Sequence, residues 1–501
     1  MKIFTTSQVR SLDQYTIEHE PVASIHLMER AADALAEAYT ETFALGSPVL
    51  ILAGPGNNGG DALALARKLM KFRIDVKVIL LYSSRLSPDC AENKLRLLQQ
   101  YPAIITELTD GFVAPELTSD TIIIDGLFGS GLTRPLTGIF ADAVGWMNAC
   151  SNEVLAVDIP SGLQGERNPD LTVPIVRANH TFTLQFPKLA FMLPDTAPYV
   201  GDWTVLNIGI HPDAVLSTDS PFSMLTKSDV QPLLRKREKF SHKGTYGDVL
   251  ILAGSRDMAG AAILAARAAL RSGAGLVTVH SAACNRIILQ TAVPEAIFHS
   301  DQDEAQISLH DGAMAYAAVA VGPGIGTSET TMLFLERLLR EANKPCLLDA
   351  DALNIISQRK HLLELIPQMS ILTPHPGEFE RLFGSSASSY DRMILASDMA
   401  RKYQIIIVLK GAHSLIALPD GQMIFNSTGN AGMATAGMGD VLTGIIAGLL
   451  AQGYVPAHAA VTGVYLHGLA GDKALNQQSK ESLLAGDIVD YLSDAYKILQ
   501  K

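Results

Sequence analysis

Two α/β domains are predicted for this chain, on three observations. At 501 residues it is longer than one hydrophobic core ordinarily serves. Apolar runs of strand length repeatedly end in polar, glycine-containing loops that open helices, as parallel sheets require. The pattern also begins twice, as VLILAGPGNNGGD at 49–61 and VLILAGSRDMAGA at 249–261. A shared strand-to-glycine-turn design accounts for that echo without a true repeat. The domains read as 1–212 and 236–501. Residues 213–235, which mix Ser, Thr, Asp and Pro and run into the basic LLRKREKF, read as the connection.

Composition narrows the classes of function. Hydrophobic residues at 48% supply ample core, while aromatics at 6% are too sparse for a base-stacking platform. A net charge of −12 disfavours general binding to nucleic acid or anionic membrane. Cys90, Cys150, Cys284 and Cys346 are scattered without metal-site spacing, so reduced thiols are expected. The opening MKIFTTSQVRSLDQ turns polar before an apolar signal core forms, and no apolar run reaches membrane-spanning length. A cytoplasmic protein is expected. Homo-oligomers are common for such sheets and one is expected here, although no interface signature stands out.

Residues 7–45 carry apolar residues at helical spacing, with Ser7 as the cap. VLILAG (49–54) is a buried strand, PGNNGGD a glycine-rich turn, ALALARKLMKF a helix and VKVILL the next strand. TIIID (121–125) leads into GLFGSGLTRP, and EVLAVD (153–158) into IPSG. Three strands thus end in polar loops, and in an open α/β sheet those ends face the ligand crevice. Asn57, Asn58, Asp61, Asp125, Asp158 and Ser161 are placed to converge there. The glycines offer backbone N–H groups to phosphates, with Arg134 as a counter-charge, and Asn58, Asp125 and Ser161 offer hard oxygens to a cation. Taken singly, Asn57 and Asn58 are ordinary turn residues, Asp61 a helix cap and Asp158 a loop tie. Together, on one sheet edge, they favour a site.

The second half restarts with an alanine-rich helix, then the strands LVTVH, AAVAVGPGIG (317–326) and PCLLDADALN (345–354). Its densest stretch is NSTGNAGMATAGMGDVLTG (426–444), which sets glycines and one carboxylate before an apolar helix. The first N–H groups of such a helix have no intrahelical partner, so Gly437–Gly439 suit a phosphate. Asp440 there is either a cap or a proton acceptor. Lys410 ends the strand IIIVL where an ammonium meets a phosphate. His375 sits between prolines in a rigid loop, with a surface histidine as the ordinary alternative. Asp349 and Asp351 either position a metal or cap a helix.

These segments resemble a known pair of domains. GNNGGDALALAR, IDGLFGSGL and AVDIPSGL resemble the NAD(P)HX epimerase domain, a Rossmann-like three-layer α/β/α fold. GPGIG, LLDADALN, LTPHPGEFERL, VLKGAH and NAGMATAGMGDVLTGIIAGLLAQG resemble the ADP-dependent NAD(P)HX dehydratase, a ribokinase-like α/β domain. All eight occur in the order of the fused bacterial enzyme and span nearly the whole chain. The resemblance implies repair of hydrated NADH and NADPH: epimerisation of the R and S hydrates, then dehydration of the S form coupled to conversion of ADP into AMP and phosphate.

By position it implies that Asn57, Asn58, Gly59, Gly60 and Asp61, with Gly129, Ser130, Gly131, Leu132, Thr133, Arg134 and Pro135, hold the hydrate. Asp158 then lies beside the reacting ring as the proton-transfer residue, with Lys188 a weaker partner. Asn58, Asp125 and Ser161 would bind potassium. In the second domain Ala262, Gly324 (favoured over Gly326), His375 and Asp440 would contact the hydrate. Lys410, Gly411, Ala412, His413, Ser414 and Gly439 would hold the AMP part of the nucleotide, with Mg2+ accompanying ADP. Asp440 then becomes the base for the hydroxyl that attacks the phosphoryl group. Ribokinase-like sugar kinases tend to read Gly-Ala-Gly-Asp and Asn-x-x-Glu. Gly437-Met438-Gly439-Asp440 and His375-Pro376-Gly377-Glu378 here fit the dehydratase better and leave the magnesium ligands open. The alternative function is a small-molecule kinase whose first domain senses a dinucleotide without catalysis.

Overall fold

The computed structural model describes residues 1–20, 22–82, 85–309 and 311–500. It divides into two compact units, Lys2–Ser220 and Pro221–Lys501.

In the first unit, β1 (Val49–Ala53), β2 (Val76–Leu81), β3 (Ile105–Leu108), β4 (Ile122–Gly126), β5 (Val154–Val157), β6 (His180–Leu184) and β7 (Asp202–Leu206) form a sheet ordered β3-β2-β1-β4-β5-β6-β7. Every pairing is parallel. The helices are α1 (Thr6–His19), α2 (Ser24–Thr42), α3 (Asn57–Lys71), α4 (Pro88–Gln100) and α5 (Ile139–Ala149). Strand alternation makes the layers. Val49, Ile51 and Ala53 of β1 face α2, α3 and α4 through Leu35, Tyr39, Leu63 and Leu97. Leu50 and Leu52 face α5 through Ile139, Val144 and Met147. The strand order reverses between β1 and β4, and such a switch point leaves a crevice at the strands' carboxyl ends.

The helix read over 7–45 is in fact two. Thr5, not Ser7, caps α1: its hydroxyl accepts from Gln8 N–H while the Gln8 side chain returns to Thr5 N–H. The helix ends at His19, ahead of Pro21, which lies outside the described residues.

The second unit carries β8 (Phe222–Met224), β9 (Asp248–Leu252), β10 (Leu276–Ser281), β11 (Ile297–Ser300), β12 (Ala318–Val321), β13 (Leu347–Leu348), β14 (Ile371–Leu372), β15 (Ile406–Leu409), β16 (Leu415–Ala417) and β17 (Met423–Phe425). Their order is β8-β17-β16-β15-β14-β13-β12-β9-β10-β11. Pairings from β15 through β14, β13, β12 and β9 to β11 are parallel, and β15–β16–β17 is an antiparallel turnback. Its helices include α6 (Ala259–Arg271), α7 (Asp351–Gln358), α8 (Pro376–Phe383), α9 (Met438–Ala451), α10 (Pro456–Ala474) and α11 (Ala485–Leu499). The apolar helix expected after Asp440 is α9, buried along nearly its whole length. It lies so close to α6 that a Cβ at Gly444 would sit 2.1 Å from the Ala265 carbonyl oxygen.

Residues 213–235, read as a connection, have structure of their own. They include short helices and β8, which pairs in parallel with β17 at Phe222↔Met423.

Candidate functional sites

The crevice of the first unit is a cleft of about 530 Å3. From the loops after β1 and β4 it is lined by Asn57, Asn58, Asp61, Gly129, Ser130, Gly131, Leu132, Thr133 and Arg134. Asn57 opens α3, so the free N–H groups of its first turn lie at the cleft. Gly59 is required by packing: a Cβ there would meet the Gly54 carbonyl oxygen at 1.9 Å. Gly59, Gly60 and Pro135 back these loops and do not line the cleft.

Asp158 projects from the end of β5 with φ at +66°, a left-handed conformation that an aspartate adopts at some cost. The Lys188 ammonium lies 2.7 Å from Asp158 Oδ1, and the N–H of Leu184 donates to the same oxygen at 3.3 Å. Lys188 is buried, and it also donates to the Phe186 carbonyl at 3.2 Å. Among the described residues this cation pairs with Asp158 alone.

Two further carboxyls share the cleft. Asp61 lies within α3 rather than at its cap. Burial, then Asp158, Asp13 and Asp89, push it well above the usual carboxylate range. Asp13, on α1, was missed in the sequence. Burial and then Asp158 push it up to about 6, against Lys188. Its signal was the spacing of Thr6, Arg10 and Asp13, which puts three cleft-lining polar residues on one helical face.

Behind the cleft, Asp125 is fully buried. Its carboxylate accepts from Ser161 Oγ at 2.6 Å, Ser161 N–H at 2.7 Å and Leu127 N–H at 3.2 Å. Burial still pushes it up to about 6. Next to it, Asn58 keeps its buried Nδ2 without a hydrogen-bond partner among the described residues. Its Oδ1 is directed at Gly129, where a Cβ would come within 3.3 Å. The buried Asp125 carboxylate, Asn58 Oδ1 and Ser161 Oγ are hard oxygens of the kind a cation accepts, whereas the unpartnered Nδ2 is a donor and would not ligate one.

The second unit has a cleft of about 620 Å3 lined by Lys410, Gly411, Ala412, His413, Ser414 and Gly439. Thr428, Met433, Leu442, Val464 and His467 supply its mostly apolar remainder. Residues 410–414 fold as a tight turn, with Ser414 Oγ accepting from Gly411 N–H at 3.2 Å. His413 Nδ1 is 3.0 Å from the Asn426 carbonyl. Burial pushes His467 down to about 4, so it is neutral at pH 7, and its Nε2 has no partner among the described residues.

A polar chain crosses the start of α9. Lys410 Nζ is 2.9 Å from Asp349 Oδ1 and 3.8 Å from Glu378 Oε2. Thr443 Oγ1 donates to Asp349 Oδ2 at 2.7 Å. Burial pulls Lys410 down, but Asp349 and Glu378 outweigh it and hold the ammonium above its ordinary range. A Cβ at Gly439 would be 3.3 Å from Lys410 Nζ, so glycine lets that ammonium reach the helix N-terminus. Asp440 follows in the first turn of α9, where Gly437, not Asp440, is the cap. Burial and then Asp349 push Asp440 up to about 6, against Lys410. Glu378 and Thr443 were not singled out in the sequence. An apolar run conceals Thr443, and Glu378 entered only as the last residue of His375-Pro376-Gly377-Glu378.

His375 caps α8, its Nδ1 accepting from Gly377 N–H at 3.1 Å, and its side chain is 50% exposed. Glu378 Oε2 accepts from His375 N–H at 2.9 Å, which ties this histidine to the Lys410 chain. Gly324 has φ at +60°, and its carbonyl accepts from Ser255 N–H at 2.6 Å. Gly326 donates to Asp351 Oδ2 at 2.9 Å. Asp351 is the first residue of α7, and the cap before it is Ala350. Ala262 is fully buried in α6 and lines neither cleft, because its methyl group packs toward Gly254. Among the described residues no group of three or more His, Cys, Asp and Glu side chains is arranged to hold a metal, and no helix is long and apolar enough to cross a membrane.

Both units are thus α/β sheets bearing a crevice, the architecture of nucleotide-handling enzymes. The second is ribokinase-like: a ribokinase-like superfamily protein from Enterococcus faecalis matches it with a TM-score of 0.50 and 27% identity, over 57% of this chain and 99% of its own. Residues 249–494 match the family model described as NAD(P)H-hydrate dehydratase, and residues 24–190 that of the YjeF-related protein N-terminus. An ADP/ATP-dependent NAD(P)H-hydrate dehydratase from Bacillus subtilis, co-crystallised with ATP and Mg2+, is 35% identical over 55% of this chain and 98% of its own, with a TM-score of 0.49. The bifunctional NAD(P)H-hydrate repair enzyme of Moorella thermoacetica is 35% identical over 100% of this chain and 98% of its own length. The chain belongs to the bifunctional NAD(P)H-hydrate repair enzymes.

Proposed function

We propose that the first unit interconverts the R and S hydrates of NADH and NADPH, and that the second dehydrates the S form at the expense of ADP. The observation that carries this reading is a candidate acid–base carboxyl at each site: Asp158, paired with buried Lys188 in the first cleft, and Asp440, which follows the cleft-lining Gly439 in the first turn of α9 without itself lining the second cleft.

In the second unit, the turn 410–414, with Gly439, holds the AMP part of the nucleotide, and Lys410 meets its phosphates. Asp440 takes the proton of the hydrate's hydroxyl as that oxygen attacks the terminal phosphoryl group, and the bond to AMP breaks. The phosphorylated oxygen then leaves as phosphate while the neighbouring carbon gives up a proton, restoring the ring double bond. His375, Gly324 and Asp440 face the hydrate; Ala262, being buried, contributes through backbone. Mg2+ accompanying ADP would offset the charge of its phosphates. In the first unit the two glycine loops hold the dinucleotide and Asp158 moves the proton. Asn58, Asp125 and Ser161 would hold potassium, whose positive charge would balance the buried Asp125 and fix the loops around it.

Product analysis tests the second activity. S-hydrated NADH with ADP and magnesium is expected to yield NADH, AMP and phosphate in equal amounts. A stable phosphorylated compound with no reduced nicotinamide would instead favour the kinase function.

A further inference from the structure

Hydration of the dihydronicotinamide ring puts the hydroxyl on the carbon bonded to ring nitrogen, because the nitrogen lone pair stabilises the cation formed there. Inverting that carbon through the same cation needs a proton delivered to the departing hydroxyl and a second site that accepts one when water returns. The first crevice holds groups suited to both tasks, and only part of that set was assigned above.

We infer that Asp13 is a catalytic residue of the R/S interconversion, acting as the proton donor to the hydroxyl opposite the Asp158–Lys188 pair. The inference rests on the epimerase reading of the first unit. Three observations carry it. Asp13 lines the same cleft as Asp61, Asp158 and Lys188. The helix that bears it is fixed there: Thr6 N–H donates to Glu166, and Arg10 Nη2 donates to the Gly131 carbonyl of the opposite loop at 3.3 Å. Asp13 is half-buried on the cleft wall, and its carboxyl makes no hydrogen bond or ion pair among the described residues, so it is not committed to holding the fold.

The two neighbours are unequal, and that fixes their roles. Lys188 lies 2.7 Å from Asp158 and pairs with it, whereas no cation pairs with Asp13 among the described residues, so Asp13 is the carboxyl that holds a proton more readily. The value of about 6 for Asp13 is consistent with this order. In the forward step the Asp13 proton passes to the hydroxyl oxygen. The C–O bond breaks with both electrons on oxygen, water departs, and the nitrogen lone pair forms the C=N bond. When water adds to the other face, its extra proton goes to a carboxylate of the Asp13–Asp158 pair, and transfer within the pair resets the site. No atom or electron is gained or lost.

The test follows R and S interconversion by the full-length chain without ADP, for wild type and Asp13→Asn. The expected result is a kcat lower by about 100-fold or more with KM changed little. The wild-type rate should fall as pH rises through the Asp13 titration, and Asp13→Asn should lose that limb. The other titratable and charged groups facing this cleft, Asp158, Lys188, Asp61, Arg10 and Arg134, remain in both proteins. Formate added to Asp13→Ala should restore part of the rate, which no purely structural role predicts. An Asp13→Asn rate within a few-fold of wild type, an effect confined to KM, an unchanged pH profile or failure of formate rescue would each overturn the assignment. A wild-type chain that does not interconvert the hydrates defeats the epimerase reading, and the Asp13 assignment with it. A wild-type chain that does, beside an equally active Asp13→Asn, defeats this inference alone.

Discussion

At the scale of single residues, the proposed chemistry turns on carboxyls that burial pushes up to about 6, Asp13 in the first unit and Asp440 in the second. Asp440 illustrates the sign. Its carboxyl is held up at about 6 by burial and Asp349, so it carries a proton below that pH and is a base only above it. Dehydration should therefore slow as pH falls through about 6, and Asp440→Asn should cost about 10²–10⁴-fold in kcat without such a limb. A pH–rate series on both proteins checks this, and a flat wild-type profile would remove Asp440 as base. Asp158→Ala should abolish epimerisation while ADP-dependent dehydration of the S hydrate continues; unchanged epimerisation removes Asp158 from the mechanism. Asp158 was singled out because it ends the apolar run EVLAV before a polar loop, and Asp440 because a glycine turn precedes it and an apolar helix follows. Asp13 was not, because on an amphipathic helix an acid facing a cleft looks like one facing water.

Between residue and molecule stand the elements that aim these groups. Asp440 is positioned by α9, and α9 by its contact with α6, where Gly444 leaves no room for a methyl group beside the Ala265 carbonyl. Gly444→Ala should thus destabilise the second unit by about 1–3 kcal/mol and lower dehydratase kcat as the helix start shifts, a change that calorimetry and kinetics would read together. Normal stability in that variant would mean that the two helices separate freely. The long apolar elements were visible from composition and period, since α9 is apolar all round and β1 a continuous hydrophobic run. Shorter ones were not. β8 has too few residues for a periodicity and gains its identity only by pairing with β17. The boundary between α1 and α2, after His19 and before Ser24, was lost inside one helical pattern, and the start of α1 was set late because the Thr5 capping box precedes the residue chosen as cap.

Across the whole molecule, the two activities occupy separate compact units, each with its own sheet and crevice. Potassium should therefore act on one and not the other. Adding it should raise the unfolding temperature of the first unit, and Asp125→Asn should remove that rise while leaving dehydration of the S hydrate intact. No stabilisation of wild type by potassium, at concentrations where sodium also has none, would count against the cation site. The order of the two domains was legible because strand-to-glycine-loop transitions announce a parallel sheet wherever they occur. Which residues close each crevice depended on long-range approach, as with Lys410 to Asp349 and Lys188 to Asp158.

The measurement that bears most directly on the central claim is recovery of reduced-nicotinamide absorbance from a mixture of R- and S-hydrated NADH, given ADP, magnesium and potassium. Complete recovery, faster than spontaneous epimerisation allows, is the predicted result. Recovery that stops at the S fraction would contradict the role of the first unit, and no recovery would contradict both.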